Sequence, residues 1–452
     1  MVTGMKFCLI PLGLFLILCS GSLATAGDPE KGYRVIVDKP LISPYWDQET
    51  FDNTWRVWPK ELKELAEKAS PDQRRKLAYE RYGLTPRPDN PDKPLQYVVS
   101  DDGDWTPNCF TCHGGEVAGQ VIPGAPNHRY AMQTLADDIR IAKMLLGKQL
   151  LTSDYGSALV PLGGTNGTTN AVMFGVILMS FRDADLNVHR GAGFPPTKHH
   201  DMDAPPWWSF SAKDYLYCDA FAPKSSKGLM QFALARENGP EKFRRWQADF
   251  DHVYAYLQSL EAPKYPYEID RPLAEQGRIA FEKTCAECHG KYETGEKYPS
   301  VVIDIAEIGT DPVRYEALSP AARKVYGDSW FNDYNRGVKS ADDTPGYIAP
   351  HLAGVWASPP YLHNGSVPTL WHMLNPTERP TVWRRTNGDY DQQRGGLTVE
   401  EFSTMPAGVT RRDEKRTYFD TRKFGKSAAG HDYPDQLSPE EKRAVLEYLK
   451  TL

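Results

Sequence analysis

The sequence predicts a mainly α protein made of two similar helical units with long loops and little β. Three observations carry that reading. A Cys-x-x-Cys-His run occurs twice, at Cys109 to His113 and at Cys285 to His289. Far downstream of each run lies an amphipathic helix, and the two helices echo one another: Val253-Tyr-Ala-Tyr-Leu-Gln-Ser-Leu260 resembles Val445-Leu-Glu-Tyr-Leu-Lys-Thr-Leu452. Strand-like runs are short, such as Tyr33 to Val37 and Val301 to Ile305.

Taken in order, Met5-Lys6, the apolar run Leu9 to Leu18 and the small residues Ala24-Thr25-Ala26 spell an export leader over residues 1–26. The expected location is therefore periplasmic or secreted. No later stretch approaches the roughly 20 apolar residues that a membrane span needs. Residues 60–82 read as two helices, because Ser70-Pro71-Asp72-Gln73 supplies an N-cap, a proline at the first helical position and a capping-box partner, and Gly83 is a natural stop. The helix ending at Leu260 shows Phe250, Val253, Tyr254 and Leu257 at helical spacing. A proline-spaced linker, Ala262 to Tyr267, follows it, and Ser438-Pro439-Glu440-Glu441 opens the last helix with a second capping box. The expected division is a leader (1–26), an N-terminal unit with a helical extension (27–262) and a C-terminal unit (263–452).

A net charge of −6 gives no electrostatic ground to expect nucleic acid as a partner. Of seven cysteines, Cys8 and Cys19 fall in the leader, which leaves two pairs and a solitary Cys218. That odd count argues against a disulfide framework. Two thiols three residues apart on a helical turn, with histidine next, can bond both vinyl groups of one haem and place an imidazole beneath its iron. Zinc is the alternative, but zinc ribbons space their pairs by about 15–20 residues, whereas more than 170 separate these. The cofactors expected are two covalent haem c groups, on Cys109, Cys112 and His113 and on Cys285, Cys288 and His289. An iron with one protein ligand can take a small molecule, while one with two is confined to electron transfer. Nine other histidines are available as a sixth ligand, and residue chemistry alone does not choose among them.

At these motifs the chain resembles the bacterial dihaem cytochrome c peroxidase superfamily, which includes the methylamine dehydrogenase maturation enzyme and the dihaem rubber oxygenases. The resemblance rests on the two motifs, on Leu352-Ala-Gly-Val-Trp356, on Pro360-Tyr-Leu-His-Asn-Gly-Ser-Val-Pro-Thr-Leu370 and on Gly430-His431-Asp-Tyr433. Asp203-Ala-Pro-Pro-Trp-Trp208 and the Gly-His-Asp-Tyr ending look most like the rubber oxygenases. The resemblance implies two cytochrome c-like haem domains, a reactive haem on His113 and an electron-transfer haem on His289 with His431 as its sixth ligand. Met373 and Met405 are the methionine alternatives for that position. It also implies a place near the haems for His363, an aromatic bridge at Trp207 and Trp208 with Trp208 carrying the electron, a distal Phe221 and, as in some relatives, one calcium ion.

No glutamate occurs between Glu116 and Glu237, where the resemblance places the reactive haem's distal pocket. Heterolysis of peroxide needs a group that moves a proton, and this interval instead offers apolar runs such as Val172 to Leu178. The expectation is an oxidoreductase that activates dioxygen or hydrogen peroxide, with an unidentified organic substrate or redox partner protein. Its rival is a non-catalytic electron carrier with both irons six-coordinate.

Overall fold

The computed structural model describes residues 27–160, 162–189, 198–292, 295–332, 344–386 and 390–452. The leader expected over residues 1–26 lies outside them. The fold is mainly α with little β, as expected, and its strands form sheets of two or three short members. No helix among the described residues is long and apolar enough to cross a membrane.

One expected strand is a helix. Residues 33–37 belong to the helix Pro29–Asp38, which opens at Asp28, whose side chain accepts from the amides of Glu30 and Lys31, with proline next. The cap starts the helix, and burial of Val35, Ile36 and Val37 in the same core as Phe250, Val253 and Leu257 overrides the β preference of the branched residues. The other short run does form a strand: Val302–Asp304 pairs antiparallel with Gly346–Ile348.

Two helix pairs organise the chain. Pro29–Asp38 packs on Pro240–Ser259, and Arg271–Thr284 packs on Pro439–Leu449. Each crossing is made close by a glycine. A Cβ on Gly32 would sit 2.1 Å from the His252 carbonyl oxygen, and one on Gly277 would sit 1.9 Å from that of Ala444. The echoed sequences are thus the second members of two equivalent crossings. The second pair delivers its motif directly, because Arg271–Thr284 runs into Cys285 and the short helix Ala286–His289.

An extension fills the space between the first helix and the first motif. Lys60–Lys68 and Pro71–Tyr82 are the two expected helices, with the Ser70/Gln73 capping box formed and Gly83 left-handed at φ 68°. They cover an aromatic core in which Phe51 stacks on Trp105 at 4.3 Å and the Trp58 indole donates to the Tyr82 hydroxyl at 2.7 Å. Tyr82 in turn donates to Asp138 at 2.8 Å. Across the molecule, Val382–Arg385 is the central strand of a three-stranded sheet between Val399–Phe402 and Tyr418–Asp420.

Candidate haem sites

Both Cys-x-x-Cys-His runs close on a short helical turn, Phe110–His113 and Ala286–His289. All four motif cysteines are free thiols, as is Cys218.

The two motif histidines are held the same way. His113 Nδ1 lies 3.0 Å from the carbonyl oxygen of Pro205, and His289 Nδ1 lies 2.9 Å from that of Pro350. A carbonyl only accepts, so Nδ1 must carry the hydrogen and Nε2 keeps its lone pair for a metal. Burial also holds both rings neutral, His113 down at about 4. Each motif therefore fits a haem: two adjacent thiols, and an imidazole with fixed tautomer and a free ligating nitrogen.

What faces each imidazole differs. The His431 ring centre lies 6.1 Å from that of His289, with the planes at 64°. A ring-centre separation of roughly 6 Å is what two imidazoles that would hold one metal ion between them need, with metal–nitrogen bonds of about 2 Å. His431 Nδ1 is buried without a partner, and burial holds this ring neutral, down at about 3. Its backbone is left-handed at φ 55°, its amide donates to the Ile308 carbonyl at 2.8 Å, and the preceding Gly430 fits against Gly309, where a Cβ would be 2.3 Å from the backbone. Arg379 clamps this turn, donating to the carbonyls of Ala428 (2.6 Å), Gly430 (2.7 Å) and His372 (3.1 Å). Met405 packs beside Val382, Val409 and Tyr418, and Met373 packs on the C-terminal core. Among the described residues no second histidine ring packs on His113, whose ring neighbour is Trp207, stacked at 4.7 Å.

The tryptophan pair joins the two histidines. Pro205 anchors His113 and Trp207 stacks on it. Trp208, buried at 4% exposure, donates its indole hydrogen to the Ala353 carbonyl at 2.8 Å. Ala353 is three residues beyond Pro350, the anchor of His289. Gly354 makes room for the indole, since a Cβ there would be 2.7 Å from Trp208 Nε1. His363 lies against Tyr347 at 4.4 Å, its carbonyl accepts the Asp203 amide at 2.9 Å, and burial lowers its ring to about 3. Its partner Asp203 lies two residues before Pro205, the His113 anchor.

Phe221 is enclosed, at 2% exposure, by Tyr217 stacked at 5.2 Å, Tyr326 at 4.8 Å and the Arg323 guanidinium at 5.6 Å. Behind it Asp219 is gripped by Arg314 at 3.0 Å and Arg323 at 2.9 Å, all three fully buried. Among the described residues no group of three or more His, Cys, Asp or Glu side chains gathers to hold a free metal ion. Sequence reasoning missed the roles of Pro205, Pro350 and Arg379, since carbonyl anchors carry no side-chain signature.

Comparison with known proteins agrees with this chemistry. Residues 346–384 match the family model described as RoxA-like, cytochrome c-like. That stretch contains the Pro350 anchor, the Ala353 acceptor, His363 and Arg379, so the chain carries a RoxA-like cytochrome c segment, and haem c is the cofactor it implies. Two curated relatives from Sinorhizobium fredii, the uncharacterized proteins y4iM and y4iJ, are each 31% identical, over 204 and 260 residues. The matches cover 40% and 43% of this chain, and 45% and 41% of theirs, so the chain spans less than half of either relative. A hydrazine synthase from Kuenenia stuttgartiensis aligns over 64% of this chain and 90% of its own at 14% identity, with a TM-score of 0.29, too loose to bear on the fold.

Proposed function

We propose that the protein is an exported dihaem c-type oxidoreductase: the His113 site holds an iron open to dioxygen or hydrogen peroxide, and the His289–His431 site holds a closed iron that exchanges electrons with it. One observation carries the reading, namely that an imidazole faces His289 at ligand spacing and none among the described residues faces His113. When bound, haem supplies redox chemistry at iron, and a free coordination position decides whether a small molecule is taken up.

The chain's own residues set that difference. Pro205 and Pro350 fix the two motif histidines, and Arg379 with Gly430 holds His431 in place. The Pro205-Pro206-Trp207-Trp208 run supplies a packed path between the sites, with Trp207 on one histidine and Trp208 bonded beside the anchor of the other. Asp203 is held well above the usual carboxylate range by burial, so it stays a neutral acid beside the His363 backbone. Phe221 itself offers no proton, and its neighbours are the Tyr217 and Tyr326 rings and the Arg323 guanidinium. An organic substrate or a protein redox partner is the expected electron donor.

The test is electron paramagnetic resonance and cyanide titration of the haem-loaded protein. One high-spin and one low-spin signal, with cyanide taken up first at the former, is the expected result; two low-spin signals and no cyanide uptake refute it in favour of an electron carrier. Replacement of His431 by alanine should convert the low-spin signal to high-spin, and an unchanged spectrum refutes the ligand assignment.

A further inference from the structure

Away from both motif histidines, a small cavity lies between the hairpin Gly114–Val117/Gln120–Pro123, just after the first motif, and the C-terminal sheet. Glu116, His128, Arg129, Arg385, Tyr390 and Thr398 are among its lining residues. Its volume is about 20 Å³, room for one water-sized occupant.

The polar groups around it are unmatched. His128 is only 6% exposed and neither ring nitrogen has a partner; the Tyr390 hydroxyl and Arg385 Nη1 are likewise buried without one. All three can donate hydrogen bonds, and a buried donor left unpaired is destabilising. The charge is unmatched as well. Arg129 pairs loosely with Glu116 at 3.7 Å, whereas Arg385 has no ion-pair partner among the described residues. Burial and then the like charge of Arg129 push the Arg385 guanidinium down to about 9, a penalty that an anion would relieve. Three donors, one of them a surplus cation, around a space for one small occupant call for an acceptor carrying negative charge.

We propose that this cavity binds one small inorganic anion of chloride size, held by Arg385, His128 and Tyr390, which ties the hairpin after the first motif to the C-terminal sheet. A halide suits a space of this size better than the bulkier phosphate or sulfate. Since the hairpin begins at the residue after His113, the anion braces the backbone that carries the first motif.

The test uses the full-length, haem-loaded protein. Crystals grown with sodium bromide should show an anomalous peak between Arg385, His128 and Tyr390. At constant ionic strength, replacing sodium sulfate by sodium chloride or bromide should raise the melting temperature by about 3 °C. The gain should vanish in Arg385→Gln and shrink in Tyr390→Phe, whose ring packing is kept and which folds even where the first variant does not. Density for water alone in the cavity, a haem carboxylate in place of the halide, or an equal response to chloride and sulfate overturns the proposal.

Discussion

Arg379→Ala is the most informative single change, because it alters the grip on His431 without touching either histidine. The guanidinium makes two short hydrogen bonds to the turn that carries His431, at 2.6 and 2.7 Å, reaches the His431 carbonyl at a long 3.5 Å, and donates to the His372 carbonyl, which anchors it to the rest of the fold. Hydrogen bonds from charged donors contribute about 1.5–3 kcal/mol each. Two of them bear on the turn, the group is half-buried, and a detached turn recovers part of the loss from water, so about 2 kcal/mol of bias toward the attached state should go. The strained backbone of His431 adds to the tendency to let go. Two kcal/mol is a factor of about 30. On the proposed ligation, an external ligand at a haem held by His289 would have to compete with His431, so its apparent affinity should rise by that factor. The assay is a cyanide or imidazole titration followed by absorption, in which the weaker of two phases reports this site. A weak phase unchanged within about twofold, in a variant whose thermal unfolding is still cooperative, would show that Arg379 does not hold the ligand.

Gly277→Ala should cost about 3 kcal/mol or more, since its methyl would meet the Ala444 carbonyl at 1.9 Å, whereas Gly156→Ala, with nothing within 4 Å, should be neutral or stabilising; thermal denaturation of both variants tests the contrast. Asp201→Asn should destabilise by about 3 kcal/mol at pH 7, because it leaves the buried Lys426 ammonium, 2.7 Å away, without its counter-ion. The Asp201 carboxyl is held below its ordinary value by Lys426 and its hydrogen bonds against the opposing effect of burial, so this stability is present above the unfolded value of about 3.9 and is lost as pH falls through the lower folded value. Urea unfolding at stepped pH should therefore show the two proteins converging only below about pH 4. Trp208→Phe should cost about 2 kcal/mol by stranding the Ala353 carbonyl, and should slow electron exchange between the irons after flash reduction of one of them.

The parts legible in sequence are those in which a side chain announces its own job. Cys109, Cys112, His113, Cys285, Cys288 and His289 form a pattern with one economical chemistry, and Ser70/Gln73 and Ser438/Glu441 are caps whose partners are local. The echo of residues 253–260 in 445–452 marked the two helix crossings because each buries a similar apolar stripe. What was hidden is backbone and context. The anchors Pro205 and Pro350 act through carbonyl oxygens that every residue owns. Residues 33–37 carry branched side chains typical of strands, and only the Asp28-Pro29 cap and a distant helix make them helical. Trp207 and Trp208 both stood out as an aromatic bridge by resemblance, but nothing in a Trp-Trp pair says which ring turns toward which histidine, and it is Trp207 that stacks on His113.

The repeated and the unrepeated features together explain how one chain can set two similar sites to different tasks. Glycine-closed helix crossings and proline-carbonyl anchors occur in both halves, so each motif histidine meets the same local demands. The difference lies in what reaches the other side. Opposite His289 stands a turn that is costly to build: a left-handed histidine after a glycine crowded against Gly309, held by an arginine that spends its hydrogen bonds on carbonyls. Such strain persists only where the surroundings over-determine it. That one side carries this device, while the described residues bring only the stacked Trp207 to the His113 ring, is a physical reason to expect one closed iron and one open iron.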